Sequence, residues 1–106
     1  MGMTKYKLTI MPRAENDIIN IFEYLSQELS VPAAAHGQMR DIENAFLRLQ
    51  DFPESSPVCQ DSILRRKGYR KLLVNNYIAL YTVDNAERTV TIMRVVHGRQ
   101  NYARFV

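Results

Sequence analysis

The sequence offers little ready-made chemistry. Cysteine occurs once, at Cys59, so no internal disulfide can form and a reducing cytoplasm is the expected setting. No neighbour in sequence would lower the Cys59 thiol pKa, so it reads as a small, partly buried residue rather than a nucleophile. The only histidines are the widely separated His36 and His97, and with one cysteine they make no metal signature. The four glycines are scattered, which excludes a Gly-rich phosphate loop. No cofactor is implied. No apolar run approaches the roughly 18–20 residues that span a bilayer. The N-terminus has no long apolar core and no cleavage site, which predicts neither a signal peptide nor a membrane partner.

What remains is an ordinary globular composition with an unusual distribution. The 106 residues suffice for one domain, 1–106, with a single core. Charge divides the chain. Residues 1–64 hold five Lys/Arg against nine Asp/Glu, a net −4, whereas residues 65–106 hold nine against two, a net +7. A basic half beside an acidic half points to a polyanion site or an acidic partner on one surface. The plainer alternative is a solvated basic rim.

The chain reads in order as β-α-α-β-β-β. Lys5 to Met11 alternates Tyr6, Leu8 and Ile10 with polar residues, the period of a strand. Pro12 suits the first turn of a helix, and Glu15 and Asp17 suit its positive end. Over residues 13–29, Ile18, Ile21, Phe22, Leu25 and Leu29 form one apolar stripe. Ser30 can cap a second helix with Pro32 near its start. Over residues 33–51, Ala35, Met39, Ile42, Phe46 and Leu49 continue at helical steps. The short link predicts an antiparallel hairpin. Gly37 either weakens the second helix or permits a close approach to its neighbour. Residues 52–57 form a loop by composition, and residues 58–67 show no clean period beyond the anchors Ile63 and Leu64.

The last forty residues are β-rich. Tyr69–Val74 and Tyr77–Val83 flank a tight turn at Asn75-Asn76, because Asn tolerates positive φ. After a looser loop at 84–88, Thr89–Val96 is apolar on both faces and is expected to lie centrally. Strict alternation groups Arg94 with Val90, Ile92 and Val96, and His97 with Thr91, Met93 and Val95. The first strand joins this meander and the helices cover one face. The predicted fold is a two-layer α+β domain, its C-terminal antiparallel sheet packed on an N-terminal helical hairpin.

Candidate chemistry clusters at the end of the last strand. Arg94, His97, Arg99, Tyr102 and Arg104 lie there, and Arg70 and Lys71 lie on a strand able to neighbour it. Arginine forks match phosphate, and histidine carries protons near neutral pH. Tyr69, Tyr77, Tyr81 and Tyr102 offer faces for stacked bases. Together these suit RNA cleavage at its own 2′-OH. Each has a plainer reading. Arg70 and Arg94 also suit pairing with helix carboxylates such as Glu23 or Asp41, His97 suits a simple strand end, and Tyr81 suits the core.

The elements PRAENDI, LQDFPESSP, GYRKLLVNNYIALYTVD and TVTIMRVVHGRQNY occur in an order that resembles the toxins of the RelE/ParE superfamily, from type II toxin–antitoxin and plasmid-stabilisation modules. The resemblance spans nearly the whole chain. It implies a cognate antitoxin that wraps the toxin, expected to be acidic and to cover the basic sheet surface. It also implies one of two activities: cleavage of mRNA in the ribosomal A site, or poisoning of DNA gyrase. In the ribonuclease branch a Tyr-Arg-x-x-Tyr strand carries a key arginine. The matching segment here is Tyr77-Ile78-Ala79-Leu80-Tyr81, with Ile78 in place of the cation. The His-x-Arg ending, His97 to Arg99, resembles the gyrase branch equally.

The first expectation is a ribosome-dependent mRNA endonuclease (an mRNA interferase that inhibits translation), with the ribosome and mRNA as partners. His97, Arg99, Arg70 and Tyr102 would be catalytic, and Arg65, Arg66, Lys67, Lys71, Arg94 and Arg104 would bind RNA. The alternatives are a non-enzymatic gyrase inhibitor acting through its helices and tail, or an inactive member that binds only its antitoxin.

Overall fold

A computed structural model describes residues 5–28 and 32–99. Strand β1 (Lys7–Ile10) leads directly into helix α1 (Pro12–Glu23). Pro12 opens the helix, where its missing N–H costs no hydrogen bond. The helix widens into a π-helical segment, Tyr24–Glu28. There the Ser26 hydroxyl donates to the Phe22 carbonyl at 2.8 Å, a back-bond that competes with the regular ladder. Helix α2 (Pro32–Asp51) follows, and the expected cap at Ser30 and the end of the first stripe at Leu29 lie outside the described residues.

Strands β2 (Arg70–Val74), β3 (Tyr77–Asp84) and β4 (Thr89–His97) form the expected meander. The sheet order is β1-β4-β3-β2, with β1 parallel to β4 and the other pairs antiparallel. The strand read as central is therefore central. Asn75 takes φ 58° in the β2–β3 turn and donates to Asp41 of α2 at 2.9 Å, tying the hairpin to the helical layer. Tyr6 and Gln50 tie the other end: the Tyr6 N–H donates to the Gln50 carbonyl, and the Gln50 amide donates to the Tyr6 carbonyl, both at 2.9 Å.

The main core lies between the helices and one face of the sheet. It joins Ala14, Ile21, Ile42, Ala45, Phe46 and Leu49 to Val74, Ala79, Tyr81, Val90, Ile92 and Val95. The helical stripes read from the sequence supply the first group, as amphipathic periodicity requires.

The opposite face is also covered, which the sequence reading did not anticipate. Cys59, Leu64, Tyr69, Ile78, Leu80 and Val96 form a second cluster. Its lid includes a short helix, α3 (Ser62–Arg66), capped by the Asp61 carboxylate, which accepts from the Ile63 and Leu64 N–H groups. Five residues are too few to display a helical period, which is why this element was not visible in sequence. Gly68 at φ 79° turns the chain from α3 into β2. Cys59 is buried, and desolvation foremost pushes its thiol pKa up, as expected of an inert core cysteine.

Strict alternation fails within β4. Tyr81 opposes Ile92 but Leu80 opposes Arg94, so Met93 is an extra residue in a β-bulge. Beyond it the faces exchange. Val95 joins the helix-side core with Val90 and Ile92, whereas Met93 and Val96 join the second cluster. The expected grouping of Val96 with Val90 and Ile92 is corrected accordingly.

Gly37 has open space around the position of a Cβ, so it serves no close approach. Gly37→Ala should therefore stabilise the chain by about 0.5–1 kcal/mol through helix propensity. Urea denaturation measures this, and a loss of stability would mean that α2 needs the glycine backbone.

Candidate functional site

The end of β4 meets the β2–β3 hairpin turn. The Gly98 N–H donates to the Asn76 carbonyl at 2.8 Å. A Cβ on Gly98 would lie 3.2 Å from that oxygen, so glycine suits this approach. The contact closes a cleft of about 340 Å³ on the second face, lined by Lys71, Leu73, Ile78, His97 and Arg99. A larger groove of about 630 Å³ opens on the helical side, lined by Asp17, Asn20, Tyr24, Tyr77, Arg94 and His97. His97 is the ridge between them.

The His97 ring meets Tyr77 and the Arg99 backbone. It stands edge-on to Tyr77, with centroids 5.6 Å apart. Its Nδ1 accepts the Arg99 backbone N–H at 3.2 Å. In a neutral ring, an Nδ1 that accepts a hydrogen bond leaves the proton on Nε2. Burial, then the neighbouring Tyr24, push the Tyr77 phenol pKa up, so it stays protonated at neutral pH.

The predicted site residues separate into groups. Lys71, His97 and Arg99 share the cleft. Arg70 does not. It sits opposite Tyr81, four residues along β3 from the partner of His97, or roughly 13 Å at strand rise. Its guanidinium donates to the Ser56 carbonyl at 2.6 Å and lies 3.7 Å from the Glu54 carboxylate. Tyr81, fully buried as expected, donates its hydroxyl to the Pro53 carbonyl at 2.9 Å. Arg70 and Tyr81 thus hold the 52–57 loop against the sheet.

Arg94 pairs with Asp17 of α1 rather than with Glu23 or Asp41. Its Nε donates at 2.7 Å and Nη2 at 2.9 Å, and the Val95 N–H adds a third bond to the same carboxylate at 2.9 Å. The hydrogen bond to Asp17 is the main reason the Arg94 pKa is raised. The sequence reading gave Asp17 only a helix-dipole role, because nothing local links it to a residue 77 positions away.

Arg65, Arg66 and Lys67 are exposed on and just after α3, away from the helical layer. Tyr69 and Tyr81 are buried and present no face for stacking. Tyr102 and Arg104 lie outside the described residues. Ile78, expected from the family resemblance to stand where a ribonuclease strand has a cation, is 4% exposed and belongs to the second core cluster. Among the described residues no group of acidic, histidine and cysteine side chains could hold a metal, and no helix is long and apolar enough to cross a membrane.

Residues 8–102 match the ParE toxin of the type II toxin–antitoxin system, parDE. The chain belongs to the ParE toxin family. Two solved structures share the fold of this ParE-family chain. One, described as the chromosomal ParDE TA system from P. aeruginosa, is 19% identical, with a TM-score of 0.71 over 88% of this chain and 96% of that one. The other, the RelBE2 toxin–antitoxin complex from Mycobacterium tuberculosis, is 22% identical, with a TM-score of 0.62 over 88% and 98%. No curated protein matches the sequence. The α+β architecture and the superfamily resemblance read from the sequence therefore hold.

Arg70→Met should cost about 1–3 kcal/mol, since it strands the Ser56 carbonyl, and should open the 52–57 loop to proteolysis. Thermal melting and limited digestion test this. An unchanged melt and digestion pattern would free Arg70 for a functional role.

Proposed function

We propose that this ParE-family toxin acts by binding and poisoning DNA gyrase rather than by cutting RNA, and that a cognate antitoxin neutralises it. The observation that carries this reading is the buried Ile78 at the cleft wall, where ribonuclease relatives have a cation. Cleavage at a 2′-OH needs a base, an acid and cations converging on one phosphate. Here Arg70 is committed to loop carbonyls and Arg94 to Asp17. His97 accepts the Arg99 backbone N–H through Nδ1.

On this reading Lys71, His97 and Arg99 contact the target. The exposed Arg65, Arg66 and Lys67 add long-range attraction. The second reading, ribosome-dependent cleavage, is favoured by one observation: Lys71, His97 and Arg99 do line a single cleft. An antitoxin partner is supported by the two structural relatives, both described as toxin–antitoxin systems or complexes. The +7 half predicts that it is acidic.

A supercoiling assay with purified gyrase, run beside in-vitro translation with primer extension, separates the readings. Inhibited supercoiling with intact mRNA is expected, and Arg99→Ala should weaken the inhibition about tenfold or more, the order of one charged contact. Ribosome-dependent cuts without gyrase inhibition would replace this reading with the nuclease.

Antitoxin affinity should fall steeply between low and high salt, because exposed charge attraction is screened. An affinity independent of salt would remove the electrostatic basis for an acidic antitoxin.

A further inference from the structure

The β4 bulge decides which face each residue beyond it occupies. A strand alternates faces residue by residue, so one extra residue exchanges the set. Without Met93 as the extra residue, Val95 would leave the helix-side core and Val96 would leave the second cluster. His97, two residues beyond Val95, would exchange faces with them, and the course of Gly98 and Arg99 would change. A bulge interrupts the ladder, so something must select it over the regular pairing.

Asp17 is the group that meets the bulge from the helical layer. Its Oδ2 accepts both the Arg94 Nε–H and the Val95 N–H, and its Oδ1 accepts the Arg94 Nη2–H. The carboxylate thus holds a side chain and a backbone amide immediately after the extra residue. The two side chains are 13% and 12% exposed, so the pair is largely sheltered from water. Breaking such a pair leaves an uncompensated, poorly solvated charge.

We propose that Asp17 is a positioning residue: by clamping the β4 bulge through Arg94 and the Val95 amide, it sets the direction in which His97, Gly98 and Arg99 leave the sheet. Its relevance to toxicity rests on the proposed role of that strand end in target binding. Asp17 itself need not touch the target.

Two variants test this in the full chain. Asp17→Asn keeps the shape and removes the charge. The paired Asp17→Leu/Arg94→Met replaces the clamp with apolar groups of similar size, a change that sheltered ion pairs often tolerate without loss of stability. Val90→Ala, a core truncation distant from the cleft, serves as a stability control. Two readouts are compared: nitrogen-15 NMR of the Arg99 amide and His97 ring, and gyrase inhibition.

Shifted Arg99 and His97 signals in both clamp variants are expected, with inhibition weakened about tenfold or more and Val90→Ala unchanged in both readouts. Wild-type signals in the folded paired variant would overturn the proposal. So would equal losses in Val90→Ala, since the effect would then be one of stability. If the wild-type protein fails to inhibit gyrase, the target reading fails while the NMR comparison still decides the role of Asp17.

Discussion

The two inner strands, β3 and β4, are buried on both faces, and the rest of the structure depends on that constraint. Ala79, Tyr81, Val90, Ile92 and Val95 face the helices, while Ile78, Leu80 and Val96 face the cover that includes α3. Side chains in such strands are chosen for packing, since an unpaired polar group there is costly. A surface for recognition must then lie at the strand ends or on the edge strands. The cleft beside Gly98 occupies such a place, where β4 leaves the sheet against the Asn76 turn.

The same constraint sorts the cations. A guanidinium that enters the sheet must find acceptors, because desolvated charge is unfavourable without them. Arg70 and Arg94 both enter. One finds the Ser56 carbonyl and the Glu54 carboxylate, the other finds Asp17. Lys71 lies on the opposite side of β2 from Arg70 and lines the cleft, as Arg99 does from the end of β4. Neighbouring basic residues in the sequence therefore serve different purposes, and the alternation of the strand separates them.

Much of the architecture was legible because it follows from periodicity. The stripe through Ile42, Phe46 and Leu49 and the β-branched run of β4 each fit one element only. The five-residue α3 was hidden because its anchors, Ile63 and Leu64, do not complete a period. The bulge was hidden for a related reason. Val90 through Val96 reads as one continuous strand whether or not Met93 pairs, and only the partner register distinguishes the cases. The candidate site was legible as a composition and not as a constellation. Composition gathered Arg70, Arg94, His97 and Arg99, but charge alone cannot tell a cation bound to a loop carbonyl from one facing a cleft.

The position of Ile78 shows how one residue can serve a core and a cleft wall at once. It belongs to the second core with Leu80 and Val96, and it also forms part of the cleft wall. A cation there must carry its charge out of that core to the cleft, with its stem left against the apolar neighbours. An isoleucine there closes the core and leaves the cleft with cations from Lys71 and Arg99 alone among its described lining residues. The trade is local, because neither choice alters the helical stripes or the pairing of β3 with β4. Activity can thus diverge at a few wall positions while the fold stays constant, so the shared architecture alone does not choose the target.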